Sequence, residues 1–405
     1  MKASERLLKY VTYLTPSDED SNTTPSSQCQ FNLGNALVEE MKQLGIKDAA
    51  IDDMCYVYGH IPATPGLENK TAIGFIAHMD TVSDFCDHDA KPIIHENYDG
   101  KALPLGNSGL VLDPEVFPHL KGLSGRTLIT SDGTTILGAD DKAGIAEILT
   151  AVEEILAEGS AHGPISVAFT PDEEIGVGAH HFDVPRFAAK YAYTMDGDVE
   201  GGIEYETFNA ATAKLKFHGE NVHPGSAKDI MVNASILAME FNNLLPAAER
   251  PEHTEKYEGF YHLNQMDGTV SDATLSYIIR DHDAAKFEAR KETMQLAVKH
   301  MNEKYGEGTV EIEINDQYRN MAEVIKENPE TVEKAKAAVK AVGLEPVVKP
   351  VRGGTDGSHL SYMGLPCPNL GTGGNAYHGP YEHITVEGMN KAVEVIKALI
   401  AEYAK

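Results

Sequence analysis

The chain has 405 residues, more than one hydrophobic core usually serves, so two domains are expected. Its 62 acidic residues against 34 basic ones leave a formal charge of −28, which argues against nucleic acid and anionic membrane as partners, because each phosphate contact needs a Lys or Arg. No apolar run is long enough to span a bilayer. Cys29, Cys55, Cys86 and Cys367 show no CxxC or framework spacing, so neither disulfides nor thiolate zinc sites are expected and the chain reads as cytoplasmic.

In chain order, the polar stretch 17–28 (SDEDSNTTPSSQ) reads as a surface loop. Residues 71–77 (TAIGFIA) form a short apolar run suited to a buried strand, and His78 and Asp80 follow it directly in AHMD. Open α/β sheets bind ligands outside the carboxyl ends of their strands, so this edge is where chemistry is expected. Residues two apart in an extended chain face the same way. Asp80 can therefore accept a hydrogen bond from the His78 imidazole, fixing its tautomer and leaving the other nitrogen for a metal.

Residues 138–144 (GADDKAG) place Asp140 and Asp141 just before a helix marked by Ile145, Ile148, Leu149, Val152, Ile155 and Leu156 and ended by Gly159. Such a pair either caps the helix or holds a cation. The partial positive charge of a helix start helps hold an anion in place, which suits Asp140 to bridging two ions, while capping stays open for Asp141. A second apolar run, residues 165–170 (ISVAFT), precedes Glu173 and Glu174 in TPDEEIG, where adjacent carboxylates in an irregular turn can point to different sides. A third run, 191–194, precedes Asp196 in MDGD.

From about residue 210 the pattern changes. A strand with alternating Ala213, Leu215 and Phe217 leads to a helix over 229–245. Strands near 259–264 and 274–280, a helix over 284–305 and a last strand at 310–314 follow. The order βαββαβ is that of a ferredoxin-like unit. After it the α/β pattern resumes with helices over 330–342 and near the C-terminus, so the second domain is inserted into the first. The expected division is 1–207 and 318–405 for the catalytic domain and 208–317 for the insert. His223 stands in NVHPGSAKD of the insert, Arg280 ends one of its strands, and Arg352 lies in a glycine-rich loop. Either guanidinium can clamp a carboxylate through two parallel hydrogen bonds. His378 opens HGPYEH before the terminal helix.

Two histidines and several carboxylates at strand ends and in loops have the composition of a two-metal hydrolytic site, whose ions sit roughly 3.5 to 4 Å apart across a shared carboxylate. Nitrogen and oxygen donors without thiolates suit zinc, with manganese or cobalt as substitutes. No GxSxG elbow is present, which disfavours a serine hydrolase.

Taken together, AHMDTV, GADDKAG, PDEEIG, NVHPGSAKD, SYIIRDHD, VRGGTDGS and HGPYEH, in this order around an inserted domain, resemble the M20 family of dizinc peptidases over nearly the whole chain. The resemblance implies an α/β zinc-peptidase domain carrying an α+β lid and dimerisation domain. It places His78 and Asp196 on one zinc, Glu174 and His378 on the other, and Asp140 across both. It also implies a cis peptide bond between Asp140 and Asp141, Asp80 behind His78, and Glu173 as general base. His223 would help stabilise the oxyanion, supplied from the neighbouring chain of a homodimer, and Arg280 and Arg352 would bind substrate. The wording SYIIRDHD and VRGGTDGS is nearest to the branch that releases the N-terminal residue of tripeptides through attack by a metal-bridging hydroxide. Other M20 hydrolases (dipeptidase, carboxypeptidase or acylamino-acid deacylase) stand as the alternative. A remoter one is a peptide-binding protein without metal, which would lack a ligand, and none is missing. Tyr381 and His383 stand where the family pattern, HGxHEF, has histidine and phenylalanine.

Overall fold

The structure is a computed structural model and describes residues 1–405. The chain divides into two units. The first comprises Met1–Tyr205, Met321–Lys349 and Thr355–Lys405, and the second Glu206–Asn320 with Pro350–Gly354. Residues 350–354, read from sequence with the last catalytic segment, group with the second unit because the Val351 amide donates to the Glu206 carbonyl and the Phe208 amide to the Gly353 carbonyl.

The first unit is built on an eight-stranded mixed sheet. At its centre, Ile165–Thr170, Ile73–His78 and Tyr191–Gly197 lie side by side and parallel, with Ile73 paired to Ile165 on one flank and to Tyr191 on the other. Every residue of the first two strands is buried. A parallel strand covered on both faces has no solvent side, so its sequence is a continuous apolar run instead of an alternation. The helices Ala139–Glu158 and Val386–Ala404 pack on each other and on Ala3–Tyr10, and their apolar stripes form the larger core. Tyr56, Tyr58, Phe182, Phe187 and Leu360 belong to a separate core cluster.

This topology positions the site. Three neighbouring parallel strands end at the same edge, and their carboxyl ends carry His78, the turn with Glu173 and Glu174, and Asp196. The helix Ala139–Glu158 begins at Gly138, whose φ of 76° is the left-handed conformation that favours glycine, and ends at Gly159, with a φ of 65°. A side chain on Gly144 would collide with the Met195 carbonyl and the Asp141 carboxylate, so only glycine lets the helix start this close to the strand that bears Asp196.

A second, four-stranded sheet joins Gly374–Asn375, His383–Thr385, Leu128–Thr130 and Ile93–His95. Its strands are two or three residues long, below what alternation in sequence can reveal.

The second unit has the order strand Asn209–His218, helix Ala234–Leu244, strands Phe260–Gly268 and Asp272–Asp281, helix Ala284–Tyr305 and strand Val310–Tyr318. The strands form one antiparallel sheet in which Asp272–Asp281 and Asn209–His218 are central, which is the ferredoxin-like arrangement. The first helix begins later than the sequence reading placed it. The Asn233 side chain accepts the amides of Ser235 and Ile236 and so caps the helix there, while Pro224–Ser226 forms a separate short turn.

Candidate metal centre

His78 ends its strand with its backbone amide donating to Asp141 Oδ2 at 3.2 Å. Its Nδ1 lies 3.0 Å from the Asp80 carbonyl, which can only accept, so Nδ1 carries the proton and the lone pair of the neutral ring is on Nε2. Nε2 points into the cluster, 3.0 Å from Asp140 Oδ1 and 3.5 Å from Asp196 Oδ1. His378, held at φ 62° in the HGPYEH loop, brings its Nε2 to 3.1 Å from both Asp140 Oδ2 and Glu174 Oε2. The two oxygens of Asp140 thus face two different histidines. Asp196 stands beside one of them and Glu174 beside the other.

His78, Asp140 and Glu174 offer donor atoms all within 4.8 Å of one another, and so do His78, Asp141 and Asp196. Asp141 is better read as a support than as a ligand, because its oxygens already accept the amides of His78 and Gly144. The peptide bond between Asp140 and Asp141 is cis. Both residues lie outside helical backbone geometry, at ψ 106° and 32°.

The electrostatics are those of a carboxylate cluster that wants cations. Burial raises Asp140, but His378 and His78, which in their protonated forms carry a proton on Nε2 as well, donate to it, outweigh burial and hold this carboxyl well below its usual range. The bonds that His378 donates to Asp140 and then to Glu174 raise it to about 11. Burial pushes Glu174 and Asp196 up to about 7, and the charge of Asp140 adds to both shifts. Burial, then Asp196, drives Glu173 well above the usual glutamate range. Crowded buried carboxylates of this kind are stabilised by positive charge placed among them. Five nitrogen and oxygen donors sharing one central carboxylate fit a pair of borderline divalent ions. The Glu173 carboxyl makes no hydrogen bond or ion pair to the protein, and is free to act on a substrate or water.

Asp80 has a larger role than the sequence suggested. Its carboxylate reaches His78 Nδ1 only at 3.4 Å, while its two oxygens accept the amides of Glu173 and Glu174 at 3.0 and 3.1 Å. It fixes the turn that carries those glutamates as well as backing the histidine. Glu382 does the same for Asp140: its oxygens accept the amides of Gly138 at 2.7 Å and Asp140 at 2.9 Å. The signal for Glu382 was in HGPYEH, although no role was assigned to it from sequence. Asn369 fixes Asp196, with Oδ1 accepting the Asp196 amide and the Thr194 hydroxyl and Nδ2 donating to Glu204. Nothing in the stretch CPNLGTGG marks that asparagine.

The other expected residues belong to the second unit. His223 is exposed, and its Nδ1 accepts the Gly225 amide at 3.1 Å, so in the neutral ring Nε2–H is a donor. Arg280 donates from Nη1 to the carbonyls of Ala211 and Ile279 and lies over the Tyr318 ring, and no carboxylate of the chain pairs with it. Arg352 is engaged differently from the substrate clamp expected of it. It donates to the carbonyls of Lys256 and Glu258 and to the Thr254 hydroxyl and stacks near Phe208 and Phe260, bracing its own loop.

A carboxylate with a histidine on each oxygen, further carboxylates on both flanks and an uncommitted glutamate, gathered at the carboxyl edge of the sheet's central parallel strands, define a metal-dependent hydrolase. The chain belongs to the peptidase family M20/M25/M40, whose family model matches residues 133–402. It is 52% identical over 406 residues to a peptidase T of Caldanaerobacter subterraneus subsp. tengcongensis, covering 100% of this chain and 99% of that protein. It is 53% identical over 401 residues to a peptidase T of Bacillus licheniformis, covering 98% of each. Among solved structures, the aminopeptidase PepT of Bacillus cereus superposes with a TM-score of 0.80 at 25% identity, covering 100% of this chain and 98% of that one. The chain is therefore a metallopeptidase, and a hydrolase by reaction class.

Proposed function

We propose that the protein is a dizinc aminopeptidase that releases the N-terminal residue of tripeptides. The observation that carries the reading is Asp140, whose two oxygens face His78 and His378 separately while Glu173 stands uncommitted beside them. His78 and Asp196 would hold one ion, His378 and Glu174 the other, and Asp140 both. Zinc fits this donor set, with manganese or cobalt as substitutes. Bound there, the ions supply Lewis-acid polarisation of the scissile carbonyl and bring the pKa of water to about 7.

The protein supplies the rest. Glu173 takes the proton of the attacking water on its carboxylate and hands it to the departing amine, which is general base and then general acid catalysis by one group. The Nε2–H of His223 donates to the oxygen on which negative charge develops. Arg280, with no acidic partner of its own, takes the substrate's C-terminal carboxylate, and that anchor measures the length of a tripeptide. The relatives named peptidase T and the aminopeptidase PepT support this substrate class over the dipeptidase, carboxypeptidase and deacylase readings.

The protein works as a homodimer through its second unit, with His223 completing the site of the neighbouring chain. Ile230, Ile236, Met239 and Met266 are exposed apolar side chains of that unit and are available to such an association. The cytoplasm is the compartment that suits four free cysteines, and no helix is long and apolar enough to cross a membrane.

A panel of di-, tri- and tetrapeptides incubated with zinc-loaded protein and resolved by liquid chromatography tests the proposal. Release of the first residue from tripeptides ahead of the others is expected, with loss on prolonged chelation and recovery on adding zinc. Full activity in protein shown by elemental analysis to be metal-free overturns it.

A further inference from the structure

The polar stretch after the first helix, unremarkable in sequence, is bonded to the turn that carries Glu173. Asp172, the residue before that glutamate, is fully buried and adopts a left-handed φ of 57°. Its carboxylate accepts three hydrogen bonds from one distant piece of chain: the Ser26 amide at 2.7 Å, the Ser26 hydroxyl at 2.5 Å and Gln30 Nε2 at 2.7 Å. Donors to a buried carboxylate form the stronger, charge-assisted kind of bond.

The same segment grips the neighbouring ligand loop. Thr15 Oγ1 donates to the Met79 carbonyl at 2.8 Å. The Ser17 amide and hydroxyl donate to the Thr81 carbonyl, and the Thr81 amide donates to the Thr15 carbonyl. Residues 15–17 therefore run along residues 79–81, which contain Asp80. Asp80 in turn accepts the amides of Glu173 and Glu174. The circuit closes: one segment holds both loops, and the loops hold each other.

We infer that Ser26 and Gln30 are positioning residues of the peptidase reaction, which hold Asp172 and through it set where the Glu173 carboxylate stands. The inference rests on the reading of Glu173 as general base. Asp80 alone fixes the two amides that follow the turn's entry. Asp172 fixes the entry itself, and a left-handed aspartate at the end of a strand keeps its conformation only when its surroundings over-determine it. Glu173 has no side-chain partner, so the backbone turn is the element that aims it. A displacement of about 1 Å at a reacting group lowers the rate on the order of 10²-fold. Glu174 on the same turn is also held through its side chain by His378, whereas Glu173 is not, so the segment's contribution appears in the chemical step and leaves substrate binding and metal retention near wild type.

The test compares Ser26→Ala, Gln30→Ala and the double variant with Ser26→Thr, which keeps the hydroxyl, and with Asn22→Ala, an exposed position of the same segment. Each is prepared zinc-loaded, and kcat, KM for a tripeptide, zinc per chain and thermal midpoint are measured. The expected result is a fall in kcat of about tenfold for each single Ala variant and more for the double one. KM and zinc content stay near wild type, Ser26→Thr recovers most of the rate, and Asn22→Ala is indistinguishable from wild type.

Unchanged kcat in the double variant overturns the inference. So does a lowered thermal midpoint with unchanged kcat per folded molecule, which is what a merely structural brace gives, and so does a loss of rate that only follows a loss of zinc. Glu173→Ala, run alongside, separates the two readings. If it stays active, the general-base assignment fails. If it is inactive while the double variant is fully active, only the positioning inference fails.

Discussion

His383 stands where the family pattern carries phenylalanine, and its surroundings give the substitution a measurable consequence. The ring is fully buried, with Nδ1 donating to the Tyr381 carbonyl at 2.7 Å and Nε2 2.8 Å from Nε2 of His119. Nδ1 holds a proton, so Nε2 of His383 accepts and His119 donates, and both rings are neutral. Burial, with the neighbouring His119 adding to it, lowers His383 from 6.5 to about 4. A histidine whose pKa is depressed on folding stabilises the fold above its unfolded pKa, and that stability is lost as pH falls towards the folded value. Between pH 7 and pH 4.5 the loss from this group is about 2 kcal/mol, at roughly 1.4 kcal/mol per pH unit. Complete burial means no discount for solvent screening is needed. His383→Phe keeps a ring of similar size and removes the titration. Denaturant unfolding of metal-free wild type and variant, followed by far-ultraviolet circular dichroism since the chain has no tryptophan, isolates the term as the difference between two pH profiles. The His359 contribution, also lowered to about 4 by burial, cancels in that difference. The wild type is expected to lose about 2 kcal/mol more than His383→Phe over this range. Parallel profiles would refute the reasoning.

Glu382→Gln keeps the shape of the side chain but turns one acceptor towards a backbone N–H as a donor. Metal affinity should drop by about 10- to 100-fold, read by competition with a chelating indicator, and unchanged affinity would mean that Glu382 does not hold Asp140 in place. Glu173→Ala should retain both metals and lose roughly 10² to 10⁴ in kcat, whereas Glu174→Ala should lose metal, and reversed stoichiometries by elemental analysis would exchange the two roles. Tripeptides with a free C-terminus should be cut much faster than their C-terminal amides. Arg280→Ala should narrow that gap, and equal rates for acid and amide in the wild type would rule out the carboxylate clamp.

What the sequence made legible follows from burial and from turn chemistry. The strands Ile73–His78 and Ile165–Thr170 stand out because parallel strands covered on both faces must be continuously apolar, and His78 and the Glu173–Glu174 pair stand out because each follows such a run. The helix Ala139–Glu158 is bounded by glycines that its sequence displays. The small four-stranded sheet was invisible, since pairs and triplets of residues carry no period. The second unit's first helix starts later than its sequence pattern suggests, because the residues before it are also compatible with a helix and only the Asn233 cap decides.

The carboxylates that fix the site divide in the same way. Asp80 was singled out by its spacing from His78, yet its main hydrogen bonds go to the amides of Glu173 and Glu174, nearly a hundred residues away in the chain, where no local pattern points. Glu382, Asp172 and Asn369 share that property. Each takes backbone amides from another segment, so each is defined by a tertiary neighbour and not by its own sequence context. Residues that meet a metal must be of a few types at strand ends and can be found by type and place. Residues that hold those ligands need only a correctly aimed oxygen, which any buried Asp, Glu or Asn can supply. A donor set is therefore readable from sequence, while the rigidity that turns it into a catalyst is settled by long-range hydrogen bonds and becomes readable only in the fold.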